Sequence, residues 1–478
     1  MSLKQKTIKG LFWSGASQAG KQVSQFIITA ILARLLSPND FGLLAMATVF
    51  INFGMIFSEM GISSALIQKQ DTLDRHYYSA FWLNIAVGIV LTLISIAASP
   101  LVAGFYKKPE LQIILAVISI NYFISSFVVI QQTILTKEMD FKSLAIRDII
   151  AIVLSGGIGI YMAFHGFGVW SLVIQSVTFT LFNAILLWAL SSWRPKYQFA
   201  KSDIKDIFGF SANLTGFNII NYFARNIDQL LIGKFLGAQA LGYYSLAYKL
   251  MLYPLQNIAW VISKVMFPAF SKIQDSLEKV RRTYLKTVKA IALIAFPVML
   301  GLFAVAPEFV NVVFGNKWSE AIPTIRILCI CGLFQSIGTT VGMIYLSMGR
   351  AGLQLKLQFL GTILVIVCVL IGMRWGINGV ALFYTLQSVI WIIINLHIVS
   401  KLTGFGLGEL FSNLKTPVLI SVCAILPFII FRNIILLPQL SQLIFFVFCW
   451  VASYMAMLLI TKEIAFKNRM PTLAILDS

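Results

Sequence analysis

The chain has 478 residues, 59% of them hydrophobic and 12% charged, with a mean hydropathy of +0.86 and a formal net charge of +19. Soluble domains carry about half apolar and about a quarter charged residues, so this composition excludes a water-soluble globular protein. Five cysteines (Cys329, Cys331, Cys368, Cys423, Cys449) lie inside apolar runs with no histidine near, and read as small packing residues rather than metal ligands.

The basic lead Met1–Lys9 is followed by an apolar run too long for a signal peptide and interrupted by Lys21. From there, runs long enough to span about 30 Å of hydrocarbon recur to the end. Fourteen spans are expected: 11–36, 41–66, 79–104, 111–136, 144–164 and 168–191, then, beyond the polar, basic linker 192–206, 207–236, 241–270, 287–315, 320–346, 351–373 and 376–400. A last pair at 414–433 and 441–461 lies in the segment 401–478. The SPND turn at 37–40 predicts a hairpin of spans 1 and 2. Residues 271–289 read as an amphipathic basic helix lying on the anionic inner membrane surface. With the N-terminus cytoplasmic, the large majority of the 37 Lys and Arg fall on the cytoplasmic side. That asymmetry sets orientation, so the positive charge needs no nucleic acid to explain it, and both termini face the cytoplasm.

The chain also repeats itself. LARLLSPNDFGLLAMA (32–47) aligns without a gap on IGKFLGAQALGYYSLA (232–247), with Leu36/Leu236, Gly42/Gly242 and Ala47/Ala247 identical and a base at Arg34/Lys234. Upstream of each copy, polar residues recur at steps of three and four: Ser14, Gln18, Lys21 or Gln22, Gln25, Thr29, and Ser211, Thr215, Asn218, Tyr222, Arg225, Gln229. That spacing puts each set on one helix face. Six spans per half make the repeat parallel, so the expected fold is all-α: a 1–191 six-helix bundle, a linker, a 207–400 six-helix bundle and an added helix pair, the halves related by an axis along the membrane normal.

Ionisable groups within a bilayer cost roughly 2.5–3.5 kcal/mol on the lenient scale and so need a reason. Lys21, Glu59, Arg225, Asp228 and Lys249 stand in spans. Arg225 and Asp228, three apart, are spaced to pair. Glu59 is the carboxylate available to Lys21, with Lys249 competing for it. If spans 1 and 7 face each other, Lys21 and Arg225 repel unless an anion lies between them, and phosphate suits both. Cations that merely snorkel to an interface remain the other reading. Tyr243, Tyr244, Tyr248 and Tyr253 form either an interfacial belt or a stacking face for sugars. Gln335, Ser336, Thr339 and Thr340, and Asn121, Ser125, Ser126, Gln131 and Gln132, either bond helix to helix or wet a cavity. Catalytic and nucleotide-binding motifs are absent; GFGLGEL (404–410) follows no strand.

The segments KGLFWSGASQ, LARLLSPNDFGLLAMA, EMGISSALIQK (59–69), GKFLGAQALGYYSLAYKL and NVVFGNKWSEAIPTIRIL (311–328) resemble the polysaccharide-transport branch of the MOP exporter superfamily. This is the O-antigen, colanic-acid and teichuronic-acid type of flippase, related to lipid II flippases and MATE exporters. The resemblance implies two six-helix bundles around a central cationic cavity. It also implies alternating access that carries an undecaprenyl-pyrophosphate-linked oligosaccharide across a bacterial inner membrane, without enzymatic chemistry. It places Lys21 and Arg225 on the pyrophosphate and Gln18, Gln25, Asn218, Tyr248 and Lys249 along the cavity. Glu59 and Asp228 become candidates for coupling to a proton or sodium gradient, and polysaccharide polymerase machinery a candidate partner. A cation-coupled drug or metabolite exporter is the alternative, disfavoured because cations outnumber carboxylates at these positions. A membrane glycan polymerase or ligase is disfavoured by the short external loops.

Overall fold

Hydrocarbon offers no partner to backbone N–H and C=O groups, so a long apolar run closes its hydrogen bonds within itself as a helix. The computed structural model of the chain is built on that rule. Its helices are α1 (Leu3–Leu35), α2 (Pro38–Glu59), α3 (Ile62–Gln68), α4 (Asp74–Tyr106), α5 (Glu110–Ser126), α6 (Val129–Lys137), α7 (Phe141–Phe164), α8 (Val169–Leu190), α9 (Lys201–Ile273) and α10 (Leu277–Val313). These are followed by α11 (Ile322–Gly338), α12 (Val341–Ser347), α13 (Ala351–Gly372), α14 (Gly376–Thr403), α15 (Leu407–Phe431) and α16 (Gln439–Ile460), and a short antiparallel hairpin of Ile464–Lys467 with Met470–Leu473. The structure describes residues 3–59, 62–68, 73–432, 438–461, 464–467 and 470–473, with side chains described except at 3–14, 16–17, 59, 64, 68, 202–218, 220, 224, 258–265, 267–268, 429, 431 and 464–473. Among the described residues nine segments are long and apolar enough to cross a membrane, or ten with the α5–α6 pair, bent by 44°, counted as one span. The protein is therefore a helical, multi-pass membrane protein. The chain falls into two compact units, Met1–Gly242 and Tyr243–Ser478, and the cut lies inside α9.

In the first unit α1 lies along α7, with Gly20 facing Ile149, Lys21 facing Asp148 and Ile28 facing Gly156. The sequence offset stays nearly constant along these pairs, so the two helices run parallel. A Cβ on Gly156 would collide with the Ile28 side chain, so the small residue sets the close approach. Helix α2 instead packs on α4, α5 and α8. The helices joined at Ser37–Pro38 thus take different main neighbours. The chemistry of the junction is local. Pro38 has no N–H to give and opens α2, while the Ser37 hydroxyl and N–H both donate to the Asp40 carboxylate, at 2.6 and 2.9 Å.

The second copy of the repeat breaks at the equivalent position, where Gly237 adopts φ +88° inside α9. The two breaks then meet. A Cβ on Gly42 would overlap the carbonyl of Ala238, and one on Gly242 would overlap the carbonyl of Pro38. Positions 38 and 238 correspond in the repeat, as do 42 and 242, so the contact is reciprocal in the manner of a two-fold interface. The identical glycines are identical for a steric reason.

The stretch 192–200 is docked, not free. Trp82 Nε1 donates to the Lys196 carbonyl (2.9 Å), Tyr197 stacks on Trp82 at 5.0 Å, and the Ala200 N–H donates to Ser79 Oγ (3.1 Å). Arg194 donates to the Trp188 and Ser191 carbonyls over the Trp188 ring.

In the second unit α10 packs against α11, α15 and α16, and α13 against α14. Gly372 and Gly379 each leave room for the other's carbonyl where α13 turns into α14. The added pair α15–α16 buries Phe428 and Phe446 against Ala304 and Val305, with Gly301 beneath the Trp450 ring. Residues 277–289 are the first turns of α10 itself. Their apolar side (Val280, Tyr284, Leu285, Val288) is buried on Phe405, Leu410 and Leu414, and Tyr284 stacks on Phe405 at 5.3 Å. The amphipathic face expected to lie on lipid therefore lies on protein. The reason is that the loop after α14 and the first turns of α15 supply an apolar surface of their own, and burying such a side chain contributes about 1.5–3 kcal/mol.

Candidate functional site

The polar face of α1 carries Gln18, Lys21 and Gln25, and α7 brings a charged pair to it. Lys21 forms an ion pair with Asp148 Oδ2, the lysine side chain one-third exposed and the aspartate nearly enclosed, at 33% and 7%. The other carboxylate oxygen, Oδ1, accepts from Arg147 Nη2 at 2.6 Å and Nε at 3.0 Å. Arg147 is itself buried and donates its remaining Nη1 to Gln132 Oε1 on α6 at 3.1 Å. The cluster holds two cations and one anion, a net charge of +1. The partner of Lys21 is therefore Asp148, and the expectation of Glu59 is not needed to neutralise it. The side chains of Glu59 and Asn218 lie outside the described residues. Gln18 is half-buried and Gln25 exposed.

On α9 the arrangement differs. Arg225 is exposed and makes no ion pair among the described residues, although Asp228 is one turn away. Asp228 is buried at 2% exposure and accepts from the backbone N–H of Gln229 at 2.8 Å. Nearby, the Tyr222 hydroxyl donates to the Val49 carbonyl, and the rings of Tyr222 and Phe223 pack on Phe53. Lys249, in the second unit, is exposed and also without an ion pair among the described residues.

Tyr243, Tyr244 and Tyr248 are all buried, their rings packed inside the protein in this structure. Tyr243 donates to the Lys317 carbonyl (3.2 Å) and Tyr244 stacks on Tyr248. The Tyr248 hydroxyl lies 3.4 Å from that of Tyr384, which also accepts from Gln335 Nε2 at 3.1 Å. Gln335 reaches Ser388 at 3.3 Å, so on α11 and α14 the polar residues bond helix to helix. Asn121 does the same from α5, donating to Ser176 Oγ of α8 at 3.2 Å. Gln131 is wholly buried, with neither amide atom hydrogen-bonded among the described residues.

Sequence reasoning gave Asp148 and Arg147 no role, though the signal was present: two adjacent charges entering an apolar run. It also passed over Glu308 of α10, buried at 8% exposure and paired with Arg432 beyond α15 at 3.0 Å. Among the described residues no group of histidine, cysteine and carboxylate side chains is gathered as a metal site.

This helical membrane fold has counterparts among known proteins. The fold is that of the lipid II flippase MurJ in its inward closed conformation, at a TM-score of 0.73 and 14% identity over 95% of this chain and 98% of that one. The chain belongs to the family described as "Polysaccharide biosynthesis protein", whose profile matches residues 31–323. It is 30% identical to the teichuronic acid biosynthesis protein TuaB of Bacillus subtilis (strain 168), over 88% of each chain. It is also 30% identical to the lipopolysaccharide biosynthesis protein WzxC of Escherichia coli (strain K12), over 84% of this chain and 82% of that one.

Proposed function

We propose that this protein is a flippase, not an enzyme, that carries an undecaprenyl-pyrophosphate-linked oligosaccharide from the inner to the outer leaflet of a bacterial cytoplasmic membrane. The observation that carries the reading is an exposed or half-open cation on the polar face of each repeat copy, Lys21 and Arg225, in a family of polysaccharide biosynthesis proteins. A diphosphate entering hydrocarbon needs cations to replace its water, and the planar guanidinium and compact ammonium provide them. Transport proceeds by alternating access of two six-helix bundles (1–191 and 207–400) within a fourteen-span chain, both termini cytoplasmic as the charge asymmetry directs. Gln18, Gln25, Asn218, Tyr248 and Lys249 serve the passage of the cargo, and Glu59 and Asp228 couple it to a proton or sodium gradient. Polysaccharide polymerase machinery receives the product on the outer side.

The test is complementation. Wild type, Lys21→Ala and Arg225→Ala are expressed at matched levels in bacterial strains lacking their own lipid-linked glycan flippase. The expected result is surface glycan restored by wild type and lost in both variants. Variants as active as wild type would remove Lys21 and Arg225 from the binding role. A wild type inactive across a panel of strains with different glycans would overturn the flippase reading itself.

A further inference from the structure

We propose that the Arg147–Asp148 pair is a built-in counter-ion that positions Lys21 and competes with the substrate diphosphate for it, which sets how readily the cargo is released. The inference rests on the flippase reading above and assigns it two positioning residues, on α7. Three observations carry it. The two carboxylate oxygens of Asp148 are divided between partners: Oδ1 receives both Arg147 donors, and Oδ2 holds Lys21. Arg147 is nearly enclosed, and its fork is spent on Asp148 and Gln132, so it is the fixed member. Lys21 is one-third exposed, and Asp148 is its one ion-pair partner among the described residues, so it is the exchangeable member.

The consequence follows from charge. When Lys21 turns to a diphosphate, Asp148 is not left as an unpaired buried anion, because Arg147 still neutralises it. The lysine is therefore releasable at low cost, and on departure of the anion Asp148 reclaims it. Without the aspartate, Lys21 would hold the diphosphate uncontested. Without the arginine, Asp148 would depend on Lys21 alone and would keep it from the substrate. Removing either member of one ion pair thus shifts affinity in opposite directions, which damage to the fold would not do.

The experiment measures binding of undecaprenyl pyrophosphate, without sugar, to the purified full-length protein in lipid nanodiscs. Thermal unfolding of each variant serves as the folding control. Asp148→Asn is expected to bind about tenfold more tightly than wild type and to restore less surface glycan, and Arg147→Gln about tenfold more weakly. In a Lys21→Ala background both changes are expected to vanish, since the lysine transmits them. If Asp148→Asn does not fold, the loss in Arg147→Gln and its disappearance without Lys21 carry the test. Weakening by both substitutions, or effects that persist without Lys21, would overturn the proposal while leaving the flippase reading intact. A wild type that does not bind the probe would overturn both.

Discussion

The two copies of the repeat agree where they turn and disagree where they carry charge. At the turns, Ser37–Pro38 and Gly237 break the helix at equivalent positions, and Gly42 and Gly242 make the same contact with the other copy's carbonyl. Upstream, Lys21 is clasped by a carboxylate of another helix, while Arg225, with Asp228 one turn away, makes no ion pair among the described residues. Helix-to-helix packing at a turn is a backbone matter that duplication preserves. A charged side chain depends on what the neighbouring helix brings, and α7 brings an aspartate and an arginine to Lys21.

That contrast can be broken in order of size. Arg147→Ala removes the enclosed cation and its bonds to Asp148 and Gln132, leaving Asp148 to Lys21 alone, and is expected to destabilise the protein by about 3 kcal/mol, read as a lowered melting temperature in detergent. A melting temperature equal to wild type would mean that the clasp contributes nothing. Gly42→Ala and Gly242→Ala should each cost about 1–3 kcal/mol through overpacking. Their double variant should cost less than the sum, because one displacement of the turns relieves both clashes. Strongly unequal costs would break the reciprocity. Arg225→Ala should stay within about 0.5 kcal/mol of wild type in stability while surface glycan is lost, separating a binding cation from a structural one. The smallest effect is expected in the second unit, where Arg281 of α10 grips Glu409 of α15 with paired bonds of 2.9 and 3.0 Å. Both side chains are about one-third exposed, so the pair is partly screened. The stability gap between wild type and Glu409→Gln should be about 1 kcal/mol or less and should shrink as salt is raised. A gap unchanged by salt would exclude the ion pair as its source.

Much of the helical framework was legible because a bilayer leaves apolar runs few options. Pro38 and the glycines of the second turn marked the breaks. What could not be read was partnership across helices. Asp148 lies over a hundred positions from Lys21, and nothing in the 3.6-residue period of α1 says that α7 runs beside it in parallel. The tyrosines of α9 were ambiguous for a related reason: a ring with one polar atom suits a headgroup region and a packed core equally, and here Lys317 and Tyr384 provide partners inside the protein. The opening of α10 was legible as amphipathic, but the surface it meets, Phe405 and Leu410, depends on where a later loop and the start of α15 fold back.

The docked stretch between α8 and α9 has a practical consequence for handling the molecule. A polar, basic segment between two hydrophobic halves is where one would ordinarily insert a tag, split the gene or lengthen the chain. Here residues 192–200 act as a strut. With Ala200 fastened to Ser79, there is no slack before α9 begins at Lys201, and displacing α9 pulls on the first turns of α4. A reporter domain inserted at Tyr197 would pry a stacked aromatic from Trp82, and so perturb the machinery it was meant to observe.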